Sequence, residues 1–167
     1  LADRLLDHRT VLLHGRLDSD RADRAAAALM SLDAAGDEPV TIRLAVEDAE
    51  LTAALALADT VDLMGVPVHV TCAGMVGGPA LAVLAAADRR TAAPHARFRL
   101  ADPTARLDGR ASDVSRDAEA FRSQVRTVHE WVAQATGRTV DAVAEDFRAR
   151  RYLSAAEAAG YGLVEAT

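Results

Sequence analysis

The residues from Cys72 to Arg90 read CAGMVGGPALAVLAAADRR: a β-rich run, a glycine pair, a proline, then an alanine-leucine helix closed by charge. A strand that turns sharply into a buried helix is where many hydrolases present a nucleophile. This turn carries Gly77, Gly78 and Pro79 instead. The six serines (Ser19, Ser31, Ser112, Ser115, Ser123 and Ser154) leave the whole span 32–111 empty, and Ser112 and Ser115 read as caps of a helix. Cys72 lies inside a strand pattern, where a lone cysteine is a packing residue. His69 alternates with it, His14 ends a strand, His95 follows Pro94 in a turn, and His129 falls on the polar side of a long helix. No pair has H-x-x-x-H spacing, so no metal site is expected. The glycines of residues 73–78 would need a lysine to cradle phosphate, and the chain has none; no cofactor is expected.

The elements that would position such residues alternate between apolar runs and longer helical patterns, the mark of an α/β layer structure. Strands are predicted at Thr10–His14, Val40–Val46, Pro67–Ala73 and Arg97–Leu100. Helices are predicted from Asp18 or Ser19 to about Ala34, over Glu50–Met64, and over residues 76–87 as a nearly all-apolar, fully buried segment. Asp48 reads as an N-cap, with Glu47 and Glu50 beside it. Near the end, Ser154 and Glu157 form a capping box, Gly160 is expected to stop the short helix, and Tyr161–Val164 to return as a strand.

Between Ser112 and Gly137 the residues Val114, Ala118, Phe121, Val125, Val128, Val132 and Ala135 recur at alternating spacings of four and three. That is a heptad seam on one helix of about 25 residues, about 37 Å long. A stripe this narrow suits packing against the same helix of another subunit better than a broad core face.

At 167 residues, half of them apolar, the chain is one domain with a real core. All 19 basic residues are arginine, interspersed with acids, and the net charge is −6, which disfavours a nucleic-acid partner. One cysteine excludes an internal disulfide, and no secretory or membrane-spanning run stands out. A soluble cytoplasmic protein is expected, and the absence of an initial methionine suggests that a segment before Leu1 is missing.

The segment RYLSAAEAAGYGLV at 151–164, with ATGRTVDAVAEDF before it, ADRRTAAPHARFRLADP in the middle and LADRLLDHRTVLLHGRLD at the start, resembles the Clp protease proteolytic subunit (ClpP) family. The resemblance covers nearly the whole chain in order. It implies an α/β, crotonase-like fold with a head (about 1–103 and 138–167) and a projecting handle helix (about 104–137) that stacks two seven-membered rings. It also implies a Ser-His-Asp triad, whose positions fall here on Gly78, Ala101 and Arg150. One oxyanion donor would be the N–H after the nucleophile, but Pro79 has none. The other would come from a glycine pair, which falls on Asp48 and Ala49.

A degenerate, non-enzymatic member follows from the resemblance: a pseudoprotease with an assembly or regulatory role in an ATP-dependent Clp complex. It would form heptameric or tetradecameric rings alone or with catalytic ClpP subunits. The alternatives are a crotonase-type acyl-CoA enzyme and a peptidase with relocated residues. The handle seam, Val114, Ala118, Phe121, Val125, Val128 and Val132, would be the oligomer interface. The family's apolar pocket for an AAA+ unfoldase falls on Thr41 and Arg43, with Leu63 as one apolar wall, so direct unfoldase docking is disfavoured. Arg150 is expected to pair with Asp102 or with one of the acids at 47–50.

Overall fold

Alternating burial along three apolar runs builds a parallel sheet. The computed structural model describes residues 2–165. Helix α1 (Ala2–Asp7) leads into β1 (Thr10–Leu17), α2 (Ser19–Ala35), β2 (Val40–Ala49), α3 (Leu51–Asp62) and β3 (Val68–Cys72). After β4 (Met75–Gly77) and α4 (Ala80–Ala85) come β5 (Arg89–Ala92) and β6 (Arg97–Arg99). The chain ends with α5 (Ala111–Thr136), α6 (Val140–Arg148), β7 (Tyr152–Ser154) and α7 (Ala155–Tyr161). Four parallel strands lie in the order β1-β2-β3-β5, and a second sheet has the order β4-β6-β7, with β7 antiparallel to β6.

The buried face of the larger sheet is Val11, Leu13, Ile42, Leu44, Val68 and Val70, against which α2 and α4 pack, with α3 between them. The other face carries Leu12, Arg43, Thr71 and Thr91 side by side in register, and Thr10, Thr41, His69 and Arg89 beside them. Thr41 and Arg43 therefore stand on a largely polar sheet face. Leu63 is 82% exposed at the end of α3.

Three boundaries differ from the sequence reading, each for a local reason. The helix expected over 76–87 is split, because Gly77 pairs with Arg99 as strand β4 and the helix starts only after Pro79. Asp48 is not an N-cap: β2 runs on to Ala49, since its pairing with β1 extends to Leu17, and Glu50 becomes the cap residue without a side-chain cap bond. Helix α7 passes through Gly160 and stops at Gly162, whose φ of 95° is the left-handed turn that glycine tolerates, so residues 161–164 form no strand. The capping box of Ser154 and Glu157 forms as expected.

Helix α5, 26 residues and about 39 Å long, is anchored at one end only. Val128, His129, Val132 and Ala133 are buried against the head, where α5 meets α3, α4 and α6. Val128 and Val132 are thus core residues of their own protomer and no open seam, a correction to the expected interface. Phe121 and Val125 are half-buried against the same core, while Val114 and Ala118, also half-buried, lie beyond it. Residues 101–110 lead into the helix without regular structure.

Candidate functional site

The turn after β4 carries the strand into α4 through a left-handed glycine and a proline. Gly78 has φ 58°, a conformation that costs an L-residue about 1–2 kcal/mol. A Cβ at Gly78 would meet only the Ala101 carbonyl oxygen at 3.5 Å, so backbone conformation and not space favours glycine there. Gly77 is different: a Cβ would sit 3.0 Å from the Glu47 carbonyl oxygen and 3.3 Å from the Arg99 side chain. The Gly78 N–H donates to the Arg99 carbonyl at 3.0 Å, and Pro79, the N-cap of α4, has no N–H to donate. Residues 78 and 79 together leave no free backbone donor for an oxyanion.

The structure brings Gly78 and Ala101 together, as the 3.5 Å approach shows. It does not join Asp102 to Arg150. The Asp102 carboxylate lies 2.7 Å from His129 Nε2. His129 is 6% exposed and packs edge-on to Phe147 with ring centroids 4.8 Å apart. The reading of His129 as a polar-face residue is therefore corrected: it follows Val125 by four and precedes Val132 by three, which puts it on their face. Among the described residues this is the one hydrogen bond to a histidine ring, and no hydroxyl or thiol is activated by one.

Arg150 is exposed, with φ 53°, and its N–H closes the end of α6 on the Phe147 carbonyl. Among the described residues no carboxylate lies within 4.0 Å of its guanidinium. The expected pair fails because Asp102 is taken by His129 and because the arginine that does find a carboxylate is its neighbour. Arg151 reaches Asp146 at 3.1 Å, and Asp146 also accepts from the Tyr161 hydroxyl at 2.7 Å. Arg138 lies over the Tyr161 ring at 3.8 Å. Burial first, then the Asp146 bond, pushes the Tyr161 hydroxyl far above the ordinary phenol range.

Of the acids at 47–50, Asp48 and Glu50 are drawn to Arg16. Arg16 approaches Asp48 at 3.4 Å and Glu50 at 3.8 Å, Ser19 donates to Glu50, and Arg99 donates to the Glu47 carbonyl at 2.9 Å. The β1–β2 register shifts between Gly15 and Arg16, so Glu47 is the extra residue of a bulge. Gly15, Arg16, Glu47, Asp48 and Arg99 line a cleft of about 430 Å³. The Arg16–Asp48 partners are both more than half exposed, which limits that pair to about 0–1 kcal/mol.

Cys72 is fully buried, and burial pushes its thiol up to about 12. A raised value means less thiolate at every physiological pH than for an ordinary thiol. Iodoacetamide at pH 8 is expected to leave the native protein unmodified and to label one thiol after denaturation; rapid native labelling would contradict the burial. Among the described residues no group of three His, Cys, Asp or Glu side chains could hold a metal, and no helix is long and apolar enough to cross a membrane.

The family model for Clp protease matches residues 1–167. The ATP-dependent Clp protease proteolytic subunit 3 of Rhodococcus jostii (strain RHA1) is 32% identical, over 99% of this chain and 83% of its own. Subunit 2 of the same organism is 30% identical, over 98% and 85%, and subunit 2 of Corynebacterium glutamicum is 28% identical, over 98% and 83%.

Proposed function

The chain belongs to the Clp protease family, and from that premise we propose that it is a ring subunit that keeps the family scaffold without the peptidase, acting in assembly or regulation of a Clp proteolytic complex. The observation that carries this is the 77–79 turn: Gly78 at φ 58° brings a strand into a helix with no hydroxyl, and Pro79 withholds the N–H that would follow it. Ala101 supplies no base to the same point, and Arg150 carries the wrong charge to orient one. His129 and Asp102, the pair that could have replaced a base and its partner, are spent on holding α5 to the 101–103 segment. The partners of this reading are further copies of the chain, catalytic ClpP subunits, or both; the polar Thr41 and Arg43 weaken any direct anchor for an unfoldase.

The free end of α5 supplies the contact between rings in this reading. Native mass measurement of the chain, alone and mixed with a catalytic ClpP subunit, is expected to give particles of seven or fourteen protomers in at least one condition. Val114→Asp and Ala118→Asp are expected to break larger particles into single rings while the melting temperature holds, because both residues lie outside the core. Phe121→Asp would also disturb the head. A chain that stays monomeric in both conditions would refute the assembly role, and hydrolysis of peptide substrates by the pure chain would refute the pseudoprotease role.

A further inference from the structure

The stretch from Pro103 to Arg110, PTARLDGR, holds the one Asp-Gly step of the chain, Asp108–Gly109, and the chain has no asparagine. Residues 104–110 are all exposed, and 101–110 form neither helix nor strand. Among the described residues, no hydrogen bond or ion pair engages any of residues 103–109. Gly109 has φ 132°, and an added Cβ there would meet nothing within 4 Å. Its amide nitrogen is thus unbonded within the protein and unshielded, next to a carboxylate that nothing holds in place.

Other aspartates are held away from the same chemistry by the fold. Asp102 precedes Pro103, whose nitrogen has no proton to lose, and its carboxylate lies 2.7 Å from His129 Nε2. Asp18 precedes a small residue, Ser19, but its carboxylate accepts the Arg21 N–H at the start of α2. Asp33 accepts the N–H groups of Gly65 and Val66, and Asp88 accepts that of Val68. The residues after Asp18, Asp33 and Asp88 lie in α2 or β5. Ring closure there would need both the carboxylate bond and the local backbone to open first.

We propose that Asp108 is a self-modification site, converting to isoaspartate through a cyclic imide closed on the Gly109 nitrogen. The nitrogen gives up its proton and bonds to Cγ of Asp108, and one carboxyl oxygen leaves as water, so that a five-membered succinimide remains. Water then adds to one of the two ring carbonyls. Breaking the bond from nitrogen to Cγ restores aspartate; breaking the bond from nitrogen to the α-carbonyl carbon leaves the backbone running through Cβ and Cγ, with a free α-carboxylate. One water is lost and one regained, so the mass is unchanged and no oxidant, reductant or cofactor is consumed. The product lengthens by one methylene the segment that joins the head to α5, just ahead of Ala111. In the ring-subunit reading, on which this consequence alone rests, the added methylene alters how the head carries the free end of α5. The modification itself is independent of that reading.

The purified chain, kept warm at neutral pH for weeks and sampled through that time, supplies the test. Trypsin releases residues 107–110 between Arg106 and Arg110, and this peptide is expected to separate into two species of equal mass. The newer species should accept a labelled methyl group from S-adenosylmethionine through an isoaspartate-directed carboxyl methyltransferase. Conversion in the folded chain should run within about threefold of the rate in a synthetic peptide of residues 104–112, because an unbonded exposed segment offers no protection. Asp108→Glu, which could close only a six-membered ring, should lower the label at least about tenfold while the circular dichroism spectrum stays native. Asp18→Glu should leave the label unchanged. Folded chain that converts more than about tenfold slower than the peptide would overturn the proposal, since the fold would then shield this step. Undiminished label in Asp108→Glu, or label found mainly in the peptide holding Asp18, would overturn the assignment to Asp108.

Discussion

Gly78→Ser is expected to leave the chain as inert as the parent protein. Neither should hydrolyse peptide esters or amides, and neither should take a serine-directed phosphonate at residue 78. The new hydroxyl would sit near the Ala101 carbonyl, which can only accept a hydrogen bond and cannot remove a proton in catalysis. Members of a triad act as a unit, so a serine without its base is expected about 10⁶-fold below an intact site in kcat. The missing donor at Pro79 removes about another 10²–10³. Serine at φ 58° should also lower stability by about 1–2 kcal/mol. Adding Ala101→His would supply a base but not the N–H. The reading fails if the single variant turns over substrate or is labelled stoichiometrically at its introduced hydroxyl.

The large elements were legible because their periods are clean. The alternation of Val40, Ile42, Leu44 and Val46 and the all-apolar stretch Ala80–Ala85 each admit one placement, and both are buried throughout. Strand β5 was missed because Arg-Arg-Thr-Ala has no apolar alternation; it is held by pairing with β3, from His69 opposite Arg89 to Cys72 opposite Ala92. Asp48 misled because an acid ahead of an apolar run looks like a cap, whereas strand pairing over Gly15–Leu17 carries β2 past it. Gly160 misled for a related reason: it needs no special conformation, while Gly162 does, with the Thr136 carbonyl 3.1 Å from where a Cβ would sit.

At the candidate site, the residue types Gly78, Pro79, Ala101 and Arg150 could be read from the sequence, but the bonds formed around them could not. Asp102 and His129 are 27 positions apart, and Arg16 and Asp48 come together only through the β1–β2 register. The heptad stripe was a sound sign of a long helix and an unsound guide to what it touches. One stripe is buried in the head at Val128 and Val132 and only half-buried beyond it at Val114 and Ala118, and no spacing marks the change.

Arg90 ties down the anchored end of α5, and its loss is the largest stability effect expected in the molecule. One guanidinium donates through Nε to the Leu163 carbonyl at 2.9 Å, through Nη1 to Ala87 at 3.2 Å and through Nη2 to Ala135 at 3.1 Å. Those carbonyls belong to the turn after α4, the last turn of α5 and the segment after α7. Helix C-terminal carbonyls lack partners within their helix, so a cation there also meets favourable dipoles. Arg90→Ala would strand three part-buried acceptors at once and is expected to cost about 2–4 kcal/mol, a fall in Tm of about 10 °C at this chain length. Arg90→Lys should recover less than half, because an ammonium cannot reproduce the planar fork that meets three carbonyls. Any ring particle formed by Arg90→Ala should be lost at a lower temperature than the parent's, since the anchored end of α5 sets the direction of its free end. Denaturant unfolding of the three proteins gives the comparison, and an alanine variant within about 0.5 kcal/mol of the parent would show that Arg90 does not hold these segments together.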